Sequence, residues 1–477
     1  MAEAAHPLPL AKALTARTQQ LCVGLEQGIA DLYDLVTPVT AELLRWWFGD
    51  EACQARGVNF HTGQRQAILN AIVAHEVLGC TDLAHLYREV CPGALLEDDR
   101  LIEVSRPHHA HPKYCLKMAT GTGKTWVLQA LIVWQLLNRS AAQDEGRDDP
   151  RFTRRFLLVA PGLIVYERLL DAFLGKQRED GQRDFACADL AVHADLFLPP
   201  ACREQVHQFV RGNTCSKAEI GLKATGNGLI AITNWHLLSD AGEEEEELES
   251  EEAVLTPVVA PAADIVARRV LPVAPGRATG NALDMLDRRW ARGNVLAYLA
   301  GLPDLMVFND EAHHIHEIRK AGEASEVEWQ KSLLRLAEGK GRRFVQVDFS
   351  ATPYNDLGTA KRKSKAWFPH IIVDFDLKAA MRLGLVKSLV LDKRKAITDA
   401  LPLEFKAERD ADGNVALSDG QKIMLRAGLQ KLRRLEADFA KVDPERKPKM
   451  MVVCEDTTIT PLVADLWKRK ACSRTMC

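Results

Sequence analysis

Tyr114 to Thr125 reads YCLKMATGTGKT, and this stretch decides the fold. Tyr114 to Thr120 has the texture of a buried strand, and TWVLQALIVWQLL from Thr125 to Leu137 that of the helix that follows it. Between them, Gly121 and Gly123 allow backbone N–H groups to turn inward around an anion. The helix start adds unpaired donors and the positive end of a helix dipole. Lys124 is then spaced to reach β and γ phosphates, and the Thr125 hydroxyl to ligate Mg²⁺. Thr120 and Thr122 complete the loop. The general pattern G-x-x-x-x-G-K-[ST] fails at its first position, where Met118 stands. The tighter run from Ala119 to Thr125, flanked by strand and helix, carries the reading instead.

Outward from this loop the texture persists as short apolar runs separated by helical patterns: FLLVAPG, GLIAITN, LMVFNDE and FVQVDFSAT. Continuously apolar strands alternating with helices predict an α/β domain whose parallel sheet is covered on both faces. One run, Leu305 to Phe308, ends in Asn309 and then Asp310-Glu311-Ala312-His313. An acid at the end of a buried strand in a phosphate-loop fold is placed to hold Mg²⁺ through water, which is the role read for Asp310. Glu311 beside it is placed to polarise an attacking water as general base. His313 is read as the link from the nucleotide to the rest of the protein.

The remaining sequence is less specific. Residues 10 to 48 carry apolar positions at helical spacing, among them Leu21, Leu25, Ile29, Leu32, Leu43, Leu44 and Trp47, which predicts a helical N-terminal region. Residues 241 to 282 begin with five consecutive glutamates, Glu243 to Glu247, and continue rich in Pro, Ala and Val; they read as a solvated insertion. At His108-His109-Ala110-His111 a metal site would want a carboxylate or thiolate at helical or strand spacing. None is evident, so the stretch reads as a loop, as does the basic cluster Lys361-Arg362-Lys363-Ser364-Lys365. With 62 Lys plus Arg against 65 Asp plus Glu, no global basic field advertises a polyanion, and nucleic-acid binding must rest on local patches. Eleven scattered cysteines lack paired C-x-x-C spacing, which points to reduced thiols and a cytoplasmic setting. No apolar run is long enough to predict a membrane span or a secretory leader.

Taken in order, these motifs resemble those of the superfamily-two DEAD/DEAH-box helicases, and most closely the restriction subunit of type III restriction-modification systems. The resemblance runs from about Phe60 to Thr457. Phe60 to Ile68, FHTGQRQAI, is similar to the adenine-recognition segment, with Gln64 as the implied base reader. Val159-Ala160-Pro161-Gly162 and Ile232-Thr233-Asn234 resemble motifs that grip a nucleic-acid backbone, implying phosphate contacts from Pro161, Gly162, Thr233 and Asn234. Ser350-Ala351-Thr352 resembles the motif that couples hydrolysis to strand movement, with Ser350 and Thr352 bonding toward residues 310 to 313.

The family likeness implies ATP and Mg²⁺ as cofactors, double-stranded DNA as the track, and a modification or specificity subunit, or a downstream chain completing the motor, as partner. It implies this layout: 1–55, helical region; 56–375, first RecA-like ATP-binding domain; 376–445, connecting segment; 446–477, the start of a truncated second RecA-like domain, with Lys447 to Cys454 as its opening strand. In the family the second lobe supplies an arginine finger worth about 10³ to 10⁵ in rate; Arg469 and Arg474 read as surface charges instead, so weak turnover by the chain alone is expected. No nuclease constellation is recognisable. The competing reading is a nucleotide-gated DNA-binding module that has lost turnover.

Overall fold

The computed structural model describes residues 8–23, 31–97, 99–223, 225, 227–234, 295–314, 328–359, 362–387, 404–410 and 414–472. The acidic insertion expected at 241–282, together with Lys361 and Arg474, lies outside the described residues. The chain divides into two compact units, Met1–Lys387 and Ser388–Cys477.

The first unit is built on seven parallel strands: β1 (Lys113–Met118), β2 (Arg155–Ala160), β3 (Thr214–Cys215), β4 (Leu229–Asn234), β5 (Leu305–Asn309), β6 (Phe344–Ser350) and, after an antiparallel hairpin of β7 (Tyr354–Thr359) and β8 (Arg362–Trp367), β9 (Ile371–Phe375). The order across the sheet is β9-β1-β6-β5-β2-β4-β3, each neighbouring pair parallel. This is the α/β architecture the strand texture predicts.

Strand alternation explains how one sheet feeds two cores. Phe156, Leu158 and Ala160 of β2 face one way, with Tyr114, Leu116, Met306, Phe308, Val345, Val347 and Phe349. Leu157 and Val159 face the other, with Leu229, Leu305, Val307 and Phe344. The first core is closed by α1 (Pro9–Cys22), α2 (Pro38–Phe48) and α3 (Thr62–Ile72) and, after the short α4 (Arg100–Val104), by α5 (Lys124–Asp144) and α6 (Leu163–Leu174). The second is closed by α7 (Glu328–Ala337), whose Trp329, Leu333 and Leu336 are buried. The N-terminal helices therefore pack into the same core as the phosphate-loop strand: Leu10, Leu14, Leu43 and Trp47 are each no more than 1% exposed.

Two expectations are corrected. The basic cluster at 361–365 is not a loop: Arg362 to Lys365 belong to β8, paired residue by residue with β7, and Lys365 Nζ sits 3.9 Å from the Tyr354 ring centroid. Lys365 stands opposite Asp356, and Trp367 opposite Tyr354 with ring centroids 5.0 Å apart, cross-strand pairs that stabilise such a ribbon. In the second unit, Lys447 to Cys454 is not a strand. A strand needs a neighbour for its ladder bonds, and the strands described in this unit are the two-residue ribbon Glu408–Arg409 with Val415–Ala416. Its described helices are α8 (Asp419–Val442) and α9 (Ile459–Cys472), around Leu417, Leu425 and Ile459.

Candidate nucleotide-binding site

The phosphate loop leaves β1 at Met118 and enters α5 at Lys124. Gly121 and Gly123 hold φ of 80° and 74°, in the left-handed region that a side chain disfavours. A Cβ at Gly123 would also lie 2.5 Å from Gln64 Nε2, so this position requires glycine twice over. Thr122 is buried and donates its hydroxyl to the Ala119 carbonyl (2.6 Å), bracing the loop from inside. Thr120, Gly121 and Gly123 are exposed, and Thr125 lies half-buried in the first turn of α5.

The start of α3 clamps this loop. The His61 Nδ1 accepts from the Gly63 and Gln64 backbone N–H groups, which leaves Nε2–H to donate to the Thr122 carbonyl at 2.9 Å. Gln64 is 3% exposed; its Oε1 accepts from His61 N–H (3.1 Å) and its Nε2 donates to the Gly123 carbonyl (3.1 Å). The structure thus places Gln64 on the phosphate loop, with both ends of its amide engaged. His61 shares the clamp and was given no role by sequence. Phe375, at the end of β9, stacks on the His61 ring at 5.2 Å and lies so close to Gly63 that a Cβ there would meet the ring at 2.5 Å. Burial lowers the His61 pKa, keeping the imidazole in the neutral form this bonding needs.

Opposite the loop, β5 delivers the acidic pair. The Asp310 N–H donates to the Val159 carbonyl (3.0 Å), and Asp310 Oδ1 accepts from the Glu311 N–H (3.0 Å). Glu311 has φ of 47°, a left-handed conformation for a residue with a Cβ, which costs about 1 kcal/mol or more. That turn carries its carboxylate to Lys124, with Nζ to Oε1 at 2.6 Å. Burial pushes the Asp310 pKa upward; Lys124 opposes the rise and Glu311 adds to it.

The chain of contacts continues. His313 Nδ1 lies 3.6 Å from Glu311 Oε2 and 2.9 Å from Ser350 Oγ. Ser350, fully buried at the end of β6, accepts from Thr352 N–H (3.0 Å) and shares its second hydrogen bond with His313 Nδ1; Ala351 forms the bend between Ser350 and Thr352. Lys124, Asp310, Glu311, His313, Ser350 and Thr352 are thus brought together across the carboxyl ends of β1, β5 and β6. One step back on the same face, Asp348 is fully buried and accepts from Asn309 Nδ2 (2.7 Å), Gln346 Nε2 (2.9 Å) and His370 Nε2 (2.8 Å). Asn309 ties the strand bearing Asp310 to the strand bearing Ser350, in register. Sequence reading missed it, although its position directly before the acidic pair was a signal.

The four residues expected to grip a backbone are less uniform. Ala160 of β2 pairs with Asn234 of β4, so Pro161 and Gly162 follow directly beside Thr233 and Asn234. Pro161 and Gly162 are half-buried at the start of α6. Thr233 is fully buried with its hydroxyl donated to the Asn234 carbonyl, and Asn234 is 6% exposed; neither side chain faces solvent.

The loop fits a nucleoside triphosphate with Mg²⁺: two left-handed glycines, a helix N-terminus, an ammonium, a hydroxyl and two carboxylates on one end of the sheet. No helix among the described residues is long and apolar enough to cross a membrane. None of the curated proteins compared matches the chain. Residues 58–253, which hold the His61–Gln64 clamp, the phosphate loop and the ends of β2 and β4, match the family model described as type III restriction enzyme, res subunit, so the chain carries the domain of this helicase superfamily 2 family.

Proposed function

We propose that the chain is the ATP-hydrolysing part of a motor that moves on duplex DNA within a type III-like restriction system. The family of the matched domain is of the helicase ATPase type. The observation that carries the reading is the 2.6 Å contact between Lys124 Nζ and Glu311 Oε1, because it sets the phosphate-binding cation against the candidate base. Asp310 and Glu311 lie beyond the matched stretch, at 310 and 311, and so support the reading independently.

Bound ATP·Mg²⁺ supplies the anhydride to be cleaved and the cation that offsets its charge. Lys124 exchanges Glu311 for phosphate oxygens, and the backbone N–H groups of 121–125 cradle the same anion. Thr125 and Asp310 would hold Mg²⁺, which would offset the charge of the phosphates. Glu311, released from Lys124, takes a proton from the attacking water. His313 carries the change to Ser350, and Thr352 passes it toward β7. On the nucleic-acid side, the turn at Pro161–Gly162 offers the Gly162 backbone N–H to phosphate, which gives positioning without base readout. Thr233 and Asn234 shape that turn from beneath. A modification subunit supplies sequence recognition.

Hydrolysis of ATP by the full chain, with and without duplex DNA, tests this. DNA stimulation that disappears in Lys124→Ala and Glu311→Gln supports the motor. DNA binding that responds to ATP with equal, background hydrolysis in all three proteins would instead indicate a nucleotide-gated binding module.

A further inference from the structure

The histidine run that sequence left as a loop has gained a carboxylate. Glu103 of α4 turns toward the single 3₁₀ turn Pro107–His109 that precedes β1, and ligand atoms of Glu103, His108 and His109 all lie within 4.8 Å of one another. His109 is 2% exposed, and neither of its ring nitrogens makes a hydrogen bond. Leaving both nitrogens of a buried imidazole unused is costly unless something else engages them. Glu103 gives Oε2 to Arg106 at 3.0 Å and presents Oε1 3.8 Å from His109 Nε2. That gap is too long for a hydrogen bond, yet within the roughly 4 Å that two ligands at about 2.0–2.1 Å from one ion can span. His108 stands beside His109 with ring centroids 4.1 Å apart, and its backbone carbonyl accepts from buried Lys113 (3.5 Å), which fixes the turn. Lys113 brings a positive charge, which the carboxylates of Asp348 and Glu103 oppose.

We propose that Glu103, His108 and His109 form a structural site for a divalent transition cation of the zinc class. Two imidazoles and one carboxylate suit zinc, cobalt or nickel, whereas magnesium and calcium prefer all-oxygen sets. Glu103 and His108 are half-exposed, so water completes the coordination and the ion has a path in. The site lies at the amino end of β1, a six-residue strand of about 20 Å whose other end is the phosphate loop. The cation therefore pins the α4–β1 connection and contributes to stability, separately from the nucleotide's magnesium.

The experiment uses the full chain, stripped with chelator and titrated with Zn²⁺, then with Co²⁺ as a spectroscopic probe. The expected result is one tight equivalent, a raised melting temperature, and Co²⁺ d–d bands without a thiolate charge-transfer band. Glu103→Gln and His108→Asn should each weaken binding by at least about tenfold and abolish the melting shift, while ATP affinity and the melting temperature in chelator stay as in the wild type. Both positions are partly exposed, so these variants are expected to fold; His109→Phe, which keeps the buried ring volume, gives a third reading. Equal affinity in wild type and variants, or a Co²⁺ spectrum with thiolate charge transfer from cysteines such as Cys22 or Cys187, would overturn the proposal.

Discussion

At the carboxyl ends of β1 and β5, Lys124, Asp310 and Glu311 are partly exposed, the backbone at Glu311 is left-handed, and Lys124 is paired with Glu311, two groups for which we propose other tasks. Deeper in the same unit, two buried polar groups are well supplied with partners. Asp348 accepts three side-chain bonds, and His75 is bonded through both ring nitrogens, donating to the Arg151 carbonyl (2.6 Å) and accepting from the Tyr114 hydroxyl (3.0 Å). The contrast teaches how one sheet divides its labour. The buried network fixes the strands, and the other end uses that rigidity to hold strain and charges that can change partners.

If this division is right, mutations in the two halves fail differently. Asp348→Ala should cost about 3–5 kcal/mol of unfolding free energy in urea, because Asn309, Gln346 and His370 lose their shared acceptor in a dry interior. A loss below about 1 kcal/mol would show that the network is not what secures β5 to β6. Lys124→Ala should do the reverse, cutting ATP hydrolysis by about 10² to 10³ while moving stability by no more than about 1 kcal/mol. Melting and turnover measured on the same preparation separate the two.

The buried half should also be the acid-sensitive one. Burial lowers the His75 pKa from 6.5 to about 4, so the folded state resists a proton that the unfolded chain takes up. Its contribution is complete above pH 6.5 and drains away as pH falls toward 4, amounting to about 3 kcal/mol over that window. Urea unfolding at several pH values should show this slope, and His75→Gln should reduce it by the His75 share, leaving that of buried His111, whose pKa is lowered to about 3. The smallest effect concerns strain: Glu311→Gly should be about 1 kcal/mol more stable than Glu311→Ala, since glycine alone takes φ of 47° without penalty. Equal stability of the two would mean that the left-handed turn is relaxed in solution.

Much of the nucleotide end was legible because its signals are local. Gly121, Gly123 and Lys124 sit within four residues, and Asp310 follows an apolar strand directly, so chemistry and secondary structure are written side by side. The parallel sheet was legible for the same reason: runs such as Phe156 to Ala160 are apolar at every position, as strands covered on both faces must be. What sequence could not show is assembled from distant segments. The Asp348 cluster draws on Asn309, Gln346 and His370, from three strands or their approaches, and no spacing rule joins them. The His61 clamp depends on Phe375, more than three hundred residues away. Glu103 joins His108 and His109 only because the chain folds back between α4 and β1, at a spacing that neither a helix nor a strand would produce. At Lys447 to Cys454 local texture misled, since apolar residues there find no strand partner.

The central claim is that Lys124, Thr125, Asp310 and Glu311 serve one magnesium nucleotide. A crystal structure of the full chain with a non-hydrolysable ATP analogue and Mg²⁺ tests it most directly. The account predicts the phosphates cradled by residues 120–125, Lys124 moved from Glu311 onto phosphate oxygens, and the metal between Thr125 Oγ1 and a water held by Asp310. A nucleotide bound elsewhere, with the Lys124–Glu311 pair intact, would contradict it.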